Sequence, residues 1–177
     1  NPTRMELTRL KKQLSTALRG HKLLKDKRDE LMRQFLDMIR ETKTLREEVE
    51  ERLKSVNNDF VLASSVMSKE ELDTALLAPK QEVYLEASTR NVMSVDIPVY
   101  SFKTRTSEQS DIFSYGFAST SFELDDAVSG LSDLLPKMLK LAEMEKSVKL
   151  MADEIEKTRR RVNALEHVMI PRYQETI

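Results

Sequence analysis

Apolar residues recur along the first third of the chain at alternating steps of three and four. The series runs Leu7, Leu10, Leu14, Ala17, His21, Leu24, Arg28, Leu31, Phe35, Met38, Thr42, Leu45, Val49, Arg52, Val56. It is a heptad a/d pattern held over about seven repeats, the mark of a coiled-coil helix. Gly20 is its one glycine, and no proline falls inside it. Thr3 with Glu6 has the spacing of a capping box and predicts the helix start. Phe60, Ala63 and Met67 are expected to continue the seam after a one-residue stutter. Ser68 with Glu71 offers a second capping box, and Pro79 ends the segment.

The period then changes. Residues 82–87 and 92–97 are short β-prone runs, and Ser88-Thr89-Arg90-Asn91 between them reads as the turn of a hairpin. Val99–Phe102 is expected to extend the second strand past a bulge at Pro98. Thr104–Ser121, rich in Ser and Thr and with aromatics expected on the outside, reads as a mobile loop. A return helix is expected from Ser121–Asp126. Its seam reads Leu131, Leu134, Met138, Leu141, Glu145, Val148, Ala152, Ile155, Arg159, Val162, Glu166, Met169, Tyr173. Pro136 predicts a kink or fresh start, and Pro171 a milder bend. The expected fold is mainly α: a long antiparallel two-helix coiled coil with a small β-hairpin insertion at the turn. The segments are 1–78 for the first helix, 79–121 for the hairpin and mobile loop, and 122–177 for the return helix. The pattern is already running at Asn1 and still running at Ile177, so both ends are expected to be trimmed or disordered.

A register follows if the turn is centred near Pro98. It sets Val49 against Val148, Leu45 against Ala152, Val56 against Leu141 and Phe35 against Val162. It also brings Arg52 against Glu145, two charged seam residues that would fix register more than add stability. The same register leaves Asn1 to about Arg19 without a partner in the chain.

Composition narrows the chemistry. Charged residues make up 33% of the chain, which suits long solvated helices rather than a deep catalytic cleft. The formal net charge of −1 provides no global field for nucleic acid. Lys and Arg nevertheless dominate up to Arg28, whereas Glu41–Glu51 is acidic. With no Cys there is no disulfide or thiolate chemistry. No signal-like segment or membrane-span-length apolar run occurs. His21 and His167 lack the neighbours of a metal site, and Gly20, Gly116 and Gly130 are too isolated for a phosphate loop. The expectation is therefore no catalytic, cofactor-binding or metal residues. Met32, Met38, Met138, Met144, Met151 and Met169 read as core packing. Lys157–Arg161 is a basic run that serves as a solvated face, pairs with Glu41–Glu51, or meets an acidic partner.

Several blocks resemble the D subunit of the V-type and A-type rotary ATPases. They are Asn1–Arg4 with Leu7–Lys11, then Arg19-Gly20-His21-Lys22-Leu23-Leu24-Lys25-Asp26-Lys27-Arg28-Asp29-Glu30-Leu31, then Asn91–Val95, and finally Lys157–Glu166. The resemblance covers nearly the whole chain, with little signal in Val66–Thr89 and Thr104–Ser121. It implies a non-catalytic central rotor shaft. Such a shaft stands inside the ring of A and B subunits, carries the F subunit on its side, and couples below to the subunit on the membrane rotor ring. It implies a peripheral place on the cytoplasmic side of a membrane complex that moves protons or sodium ions and makes or hydrolyses ATP. In that frame Arg9, Lys11, Lys12, Arg159, Arg160 and Arg161 are expected to face the A/B hexamer. Leu53, Val61, Leu62, Leu139, Leu150 and Met151 are expected to face the F subunit. The competing readings are a free-standing coiled-coil scaffold and a nucleic-acid-binding helical arm.

Overall fold

The computed structural model describes residues 3–116, 118 and 120–177. Its elements are α1 (Arg4–Val66), α2 (Lys69–Ala75), β1 (Val83–Val92), β2 (Val95–Thr104), α3 (Phe122–Ala164) and α4 (Ile170–Thr176). A short 3-10 turn, Gln109–Ile112, precedes α3, and a π-turn, Leu165–Met169, separates α3 from α4. The fold is mainly α, with two long helices and a two-stranded hairpin between them in sequence. Contacts divide the chain into two units.

The first unit takes the chain up to Ile39, Asn91–Ile97 and Ser147–Ile177. Thr3 caps α1 by accepting the Glu6 N–H at 3.3 Å. The start of α1 runs antiparallel to the end of α3, with His21 beside Glu166 and Lys27 beside Glu154. Leu31, Met151 and Ile155 form the core, and Val95 and Ile97 from the start of β2 complete it. Phe35, Met38, Val92 and Met93 pack around the same core. The return seam differs from expectation. Ser147, Met151 and Thr158 are buried where the heptad predicts Val148, Ala152 and Arg159, because small polar residues occupy two core positions. Leu7 and Leu10 line a groove with Thr176 and Ile177, so α1 has an intramolecular neighbour well before Arg19, contrary to the expected register. Pro171 is absorbed by the π-turn, which accommodates its missing N–H in the preceding ladder.

The second unit comprises Arg40–Arg90 and Pro98–Lys146. Here Val49, Val56 and Ala63 are buried in unbroken heptad spacing, so the expected stutter is absent and Phe60 stays exposed. Val56, expected opposite Leu141, instead meets Gly130, a displacement of roughly three helical turns. The cause is the early end of α1. Ala63 and Met67 close against Leu124, and α2 folds over them with Leu72 and Ala75. The expected capping box forms in full at α2: Ser68 accepts the Glu71 N–H, and the Glu71 carboxylate accepts the Ser68 N–H at 2.9 Å. α3 starts at Phe122, where Ser121 accepts the Leu124 N–H, and it continues through Pro136 without a fresh start.

The hairpin is longer than expected and its turn is elsewhere. The central turn residues are Met93 and Ser94, with φ of 52° and 69°. Ser88–Asn91 therefore lies inside β1. Positive φ at both central positions is the type I′ requirement, and the Ser94 N–H donates to Asn91 Oδ1 at 3.2 Å. β2 has no bulge at Pro98, since Arg105 pairs with Glu82 and that parity turns the Pro98 nitrogen away from β1. The segment after β2 carries contacts of its own. The Ser114 hydroxyl donates to the Ala75 carbonyl at 3.0 Å, and Phe113 and Tyr115 meet edge to face. Phe117 and Ser119 of that loop, like Asn1 and Pro2, lie outside the described residues.

Candidate partner-binding surfaces

Ion pairs along α1 and α3 decide which charges remain for partners. Glu145 is held by Arg46 rather than Arg52, and Arg52 lies on an exposed face one position from the half-buried Leu53. A straight helix drifts relative to a strict heptad, which moves the seam from Arg52 to Leu53. Glu48 of the acidic stretch is engaged by Lys137, and Arg160 of the basic run pairs with Glu156 on its own helix. Lys27 and Glu154 make a partly buried bridge, at 3.1 Å. His21, expected as a seam residue, is half-buried and lies 3.3 Å from Glu166.

Within the second unit a polar contact pins the hairpin to α3. The Tyr100 N–H points away from β1 and donates to Glu143 Oε2 at 2.8 Å. Burial is the largest influence on Glu143 and pushes its carboxyl up. Lys140, the Tyr100 N–H and Arg90 outweigh it and leave the net value lowered. At the start of α3, burial and then the Asp125 carboxylate raise the Tyr115 hydroxyl above its ordinary value. The Glu30 carboxyl on α1 is held at about 2 by hydrogen bonds from Arg33 and Gln34.

The six cations expected to face a hexamer divide between α1 and α3. Arg9, Lys11, Lys12, Arg159, Arg160 and Arg161 are all on exposed positions. Arg9 makes a loose 3.7 Å contact with Glu6. The apolar set expected to face the F subunit does not stay together. Val61 is 63% exposed and Leu62 54%, and Leu53 and Leu139 are half-buried. Met151 is 0% exposed and Leu150 packs against the same core, so Met151 is removed from any surface. Heptad position misleads here, because the polar Ser147 and Thr158 on either side conceal a core stripe. A further surface carries no heptad signal: it is the fringe of the α2 cluster, where Val66, Leu77 and Phe122 remain exposed. Among the described residues no metal-binding group forms, and no helix is long and apolar enough to cross a membrane.

Long paired helices, a pinned hairpin and outward-facing charged and apolar surfaces define a helical coiled-coil subunit. The family profile for the D subunit of ATP synthase matches residues 6–177, and the chain belongs to that family. It is 64% identical to the V-type ATP synthase D subunit of Acetivibrio thermocellus, over 100% of this chain and 80% of that protein. It is 62% identical to the namesake in Clostridioides difficile, over 100% of this chain and 79% of the relative. With that of Clostridium novyi it shares 56% identity, over 100% and 82%.

Proposed function

We propose that this chain is the non-catalytic central rotor shaft of a V/A-type ATPase. It transmits torque between the A/B hexamer and the membrane ring that translocates ions. Family membership carries the reading, and the pairing of α1 with α3 supports it physically. Torque must pass along a body that resists twisting. Two helices bridged by Lys27–Glu154 and Arg46–Glu145 share shear that one helix would bear alone. An asymmetric shaft favours a different A/B interface at each angle, which couples site occupancy to rotation.

The remaining partners are assigned by surface. Arg9, Lys11, Lys12 and Arg159–Arg161 face the hexamer. Leu53, Val61, Leu62 and Leu139 receive the F subunit, and the enclosed Met151 takes no part. Val66, Leu77 and Phe122 meet the subunit that sits on the membrane ring. The complex lies on the cytoplasmic face, where the chain is peripheral. By role the chain divides into a first helical segment at 1–78 that holds α1 and α2, an insertion at 79–121 and a return segment at 122–177.

Single-molecule rotation tests this. The chain is labelled with a gold particle and assembled with immobilised A/B hexamer and the F subunit. Stepwise rotation on adding ATP is the expected result. ATP turnover with a stationary label would remove the shaft role and favour a static scaffold.

A further inference from the structure

Gly20 lies inside α1, and among the described residues nothing uses the space that this glycine leaves. A Cβ built there meets no atom within 4 Å, and its φ is not positive. A glycine inside a helix costs about 1 kcal/mol relative to alanine. Neither close approach nor backbone geometry within the chain accounts for it. On the facing segment the π-turn Leu165–Met169 has an internal cause in Pro171, but it ends at the same place. The two features leave an open groove of about 460 Å³ in the first unit. Ala17, Gly20, Leu165, Met169 and Tyr173 form its apolar floor, and Arg9 and Lys12 stand on its rim. Among the described residues no carboxylate lines it; Glu166, next to Leu165 in the chain, is turned to His21.

We propose that this groove is a docking seat for an apolar side chain carried on an acidic segment of the A/B hexamer. The carboxylates of that segment lie against Arg9 and Lys12. The inference rests on the shaft reading and goes further by naming the seat and the chemistry of its occupant. Charge complementarity selects the occupant. A second copy of this region would bring Arg9, Lys12, Arg19 and Lys22 against their own kind. The apolar floor has room for an aliphatic or aromatic side chain, which becomes the buried anchor of the contact while the exposed ion pairs set approach and salt dependence.

Gly20→Leu in the full chain tests the seat. The empty space admits the side chain without a clash, and helix propensity rises, so the variant keeps its melting temperature or gains. Binding to purified A/B hexamer is measured at low and high salt by interferometry. Gly20→Leu is expected to weaken binding at least tenfold, while Gly20→Ala stays close to wild type. Arg9→Glu with Lys12→Glu is expected to weaken binding and flatten its salt dependence. Unchanged hexamer affinity in Gly20→Leu overturns the seat and leaves the shaft reading standing. Self-association of the chain that Gly20→Leu abolishes, or RNA that competes with the hexamer, also overturns it. If the wild-type chain does not bind the hexamer, seat and shaft reading fall together.

Discussion

Gly130 lets α1 and α3 approach so closely that a methyl group would lie 2.7 Å from Val56 Cγ2. Valine has little χ1 freedom with which to yield. Gly130→Ala is expected to lose about 1 kcal/mol of stability, because overpacking of roughly 1–3 kcal/mol exceeds a helix-propensity gain of about 1 kcal/mol. In a Val56→Ala background the clash is gone, and the same substitution should stabilise by about 1 kcal/mol. Urea melts of the four proteins check this, and the same sign in both backgrounds would refute it. Thr158 is an opposite case. Its side chain is buried in the seam and the hydroxyl has no hydrogen-bond partner. Thr158→Val keeps the branch and removes the unpaired oxygen, so the melt should show a gain of about 1 kcal/mol. At Glu143 the sign runs with pH. Its folded value is lowered, so the carboxylate stabilises fully above the ordinary carboxylate range and loses that contribution as pH falls through the lowered value. The Tyr100 amide should accordingly lose hydrogen-exchange protection in acid, once intrinsic exchange is divided out. Glu143→Gln should show weaker protection that no longer varies over that window. None of these three residues is legible in the sequence. A glycine in a helix, a buried Thr and one Glu among many carry no local signal, since each matters through a neighbour distant in sequence.

At the scale of elements, local rules locate the starts of α1, α2 and α3: Thr3, Ser68 and Ser121 each cap the helix that follows. Capping needs only residues within one turn, so sequence suffices. The hairpin turn needs more. Ser88–Asn91 has the polar composition of a turn, yet the chain reverses at Met93–Ser94, where neither residue is the Asn or Gly that positive φ favours. The deciding interaction is tertiary. Val95 and Ile97 enter the core of Leu31, Met151 and Ile155, and Met93 packs beside them, which fixes the strand register from outside the hairpin. The two turn positions should therefore respond differently to glycine. Ser94→Gly relieves an αL penalty of about 1 kcal/mol and should raise the melting temperature. Met93→Gly relieves a similar penalty but removes a side chain from the core edge, and should lower it. Equal stabilisation at both positions would mean that Met93 contributes nothing to the docking of the hairpin tip. The register of the long helices escapes sequence pattern for a related reason. Heptads specify which face is buried but not where the pairing closes, and closure is set by Ala63, Met67 and α2 around Leu124.

At the scale of the whole molecule, folding and partner binding use different apolar residues, and sequence pattern alone does not separate them. Leu62 and Met151 both lie in heptad-rich helices, and the family resemblance makes both candidates for a face that receives the F subunit. One is more than half exposed, and the other is fully enclosed by Leu31, Ile155 and the hairpin tip. Burial predicts opposite consequences for the same chemical change. Met151→Glu places a charge in the apolar core of Leu31, Val95, Ile97 and Ile155, and should lower stability by several kcal/mol. Loss of F-subunit binding by that variant would then follow from unfolding and reveal nothing about the interface. Val61→Glu with Leu62→Glu adds charge where water already reaches, so the melting temperature should stay within a few degrees of wild type. If the F subunit seats on this face, the double variant should bind it at least a hundredfold more weakly, because desolvating two carboxylates against an apolar partner costs about 3 kcal/mol or more. Co-elution with the purified F subunit and calorimetric titration read the two effects separately. Retained affinity in a folded double variant would move the F-subunit site away from Val61 and Leu62 and leave them to another partner of the complex.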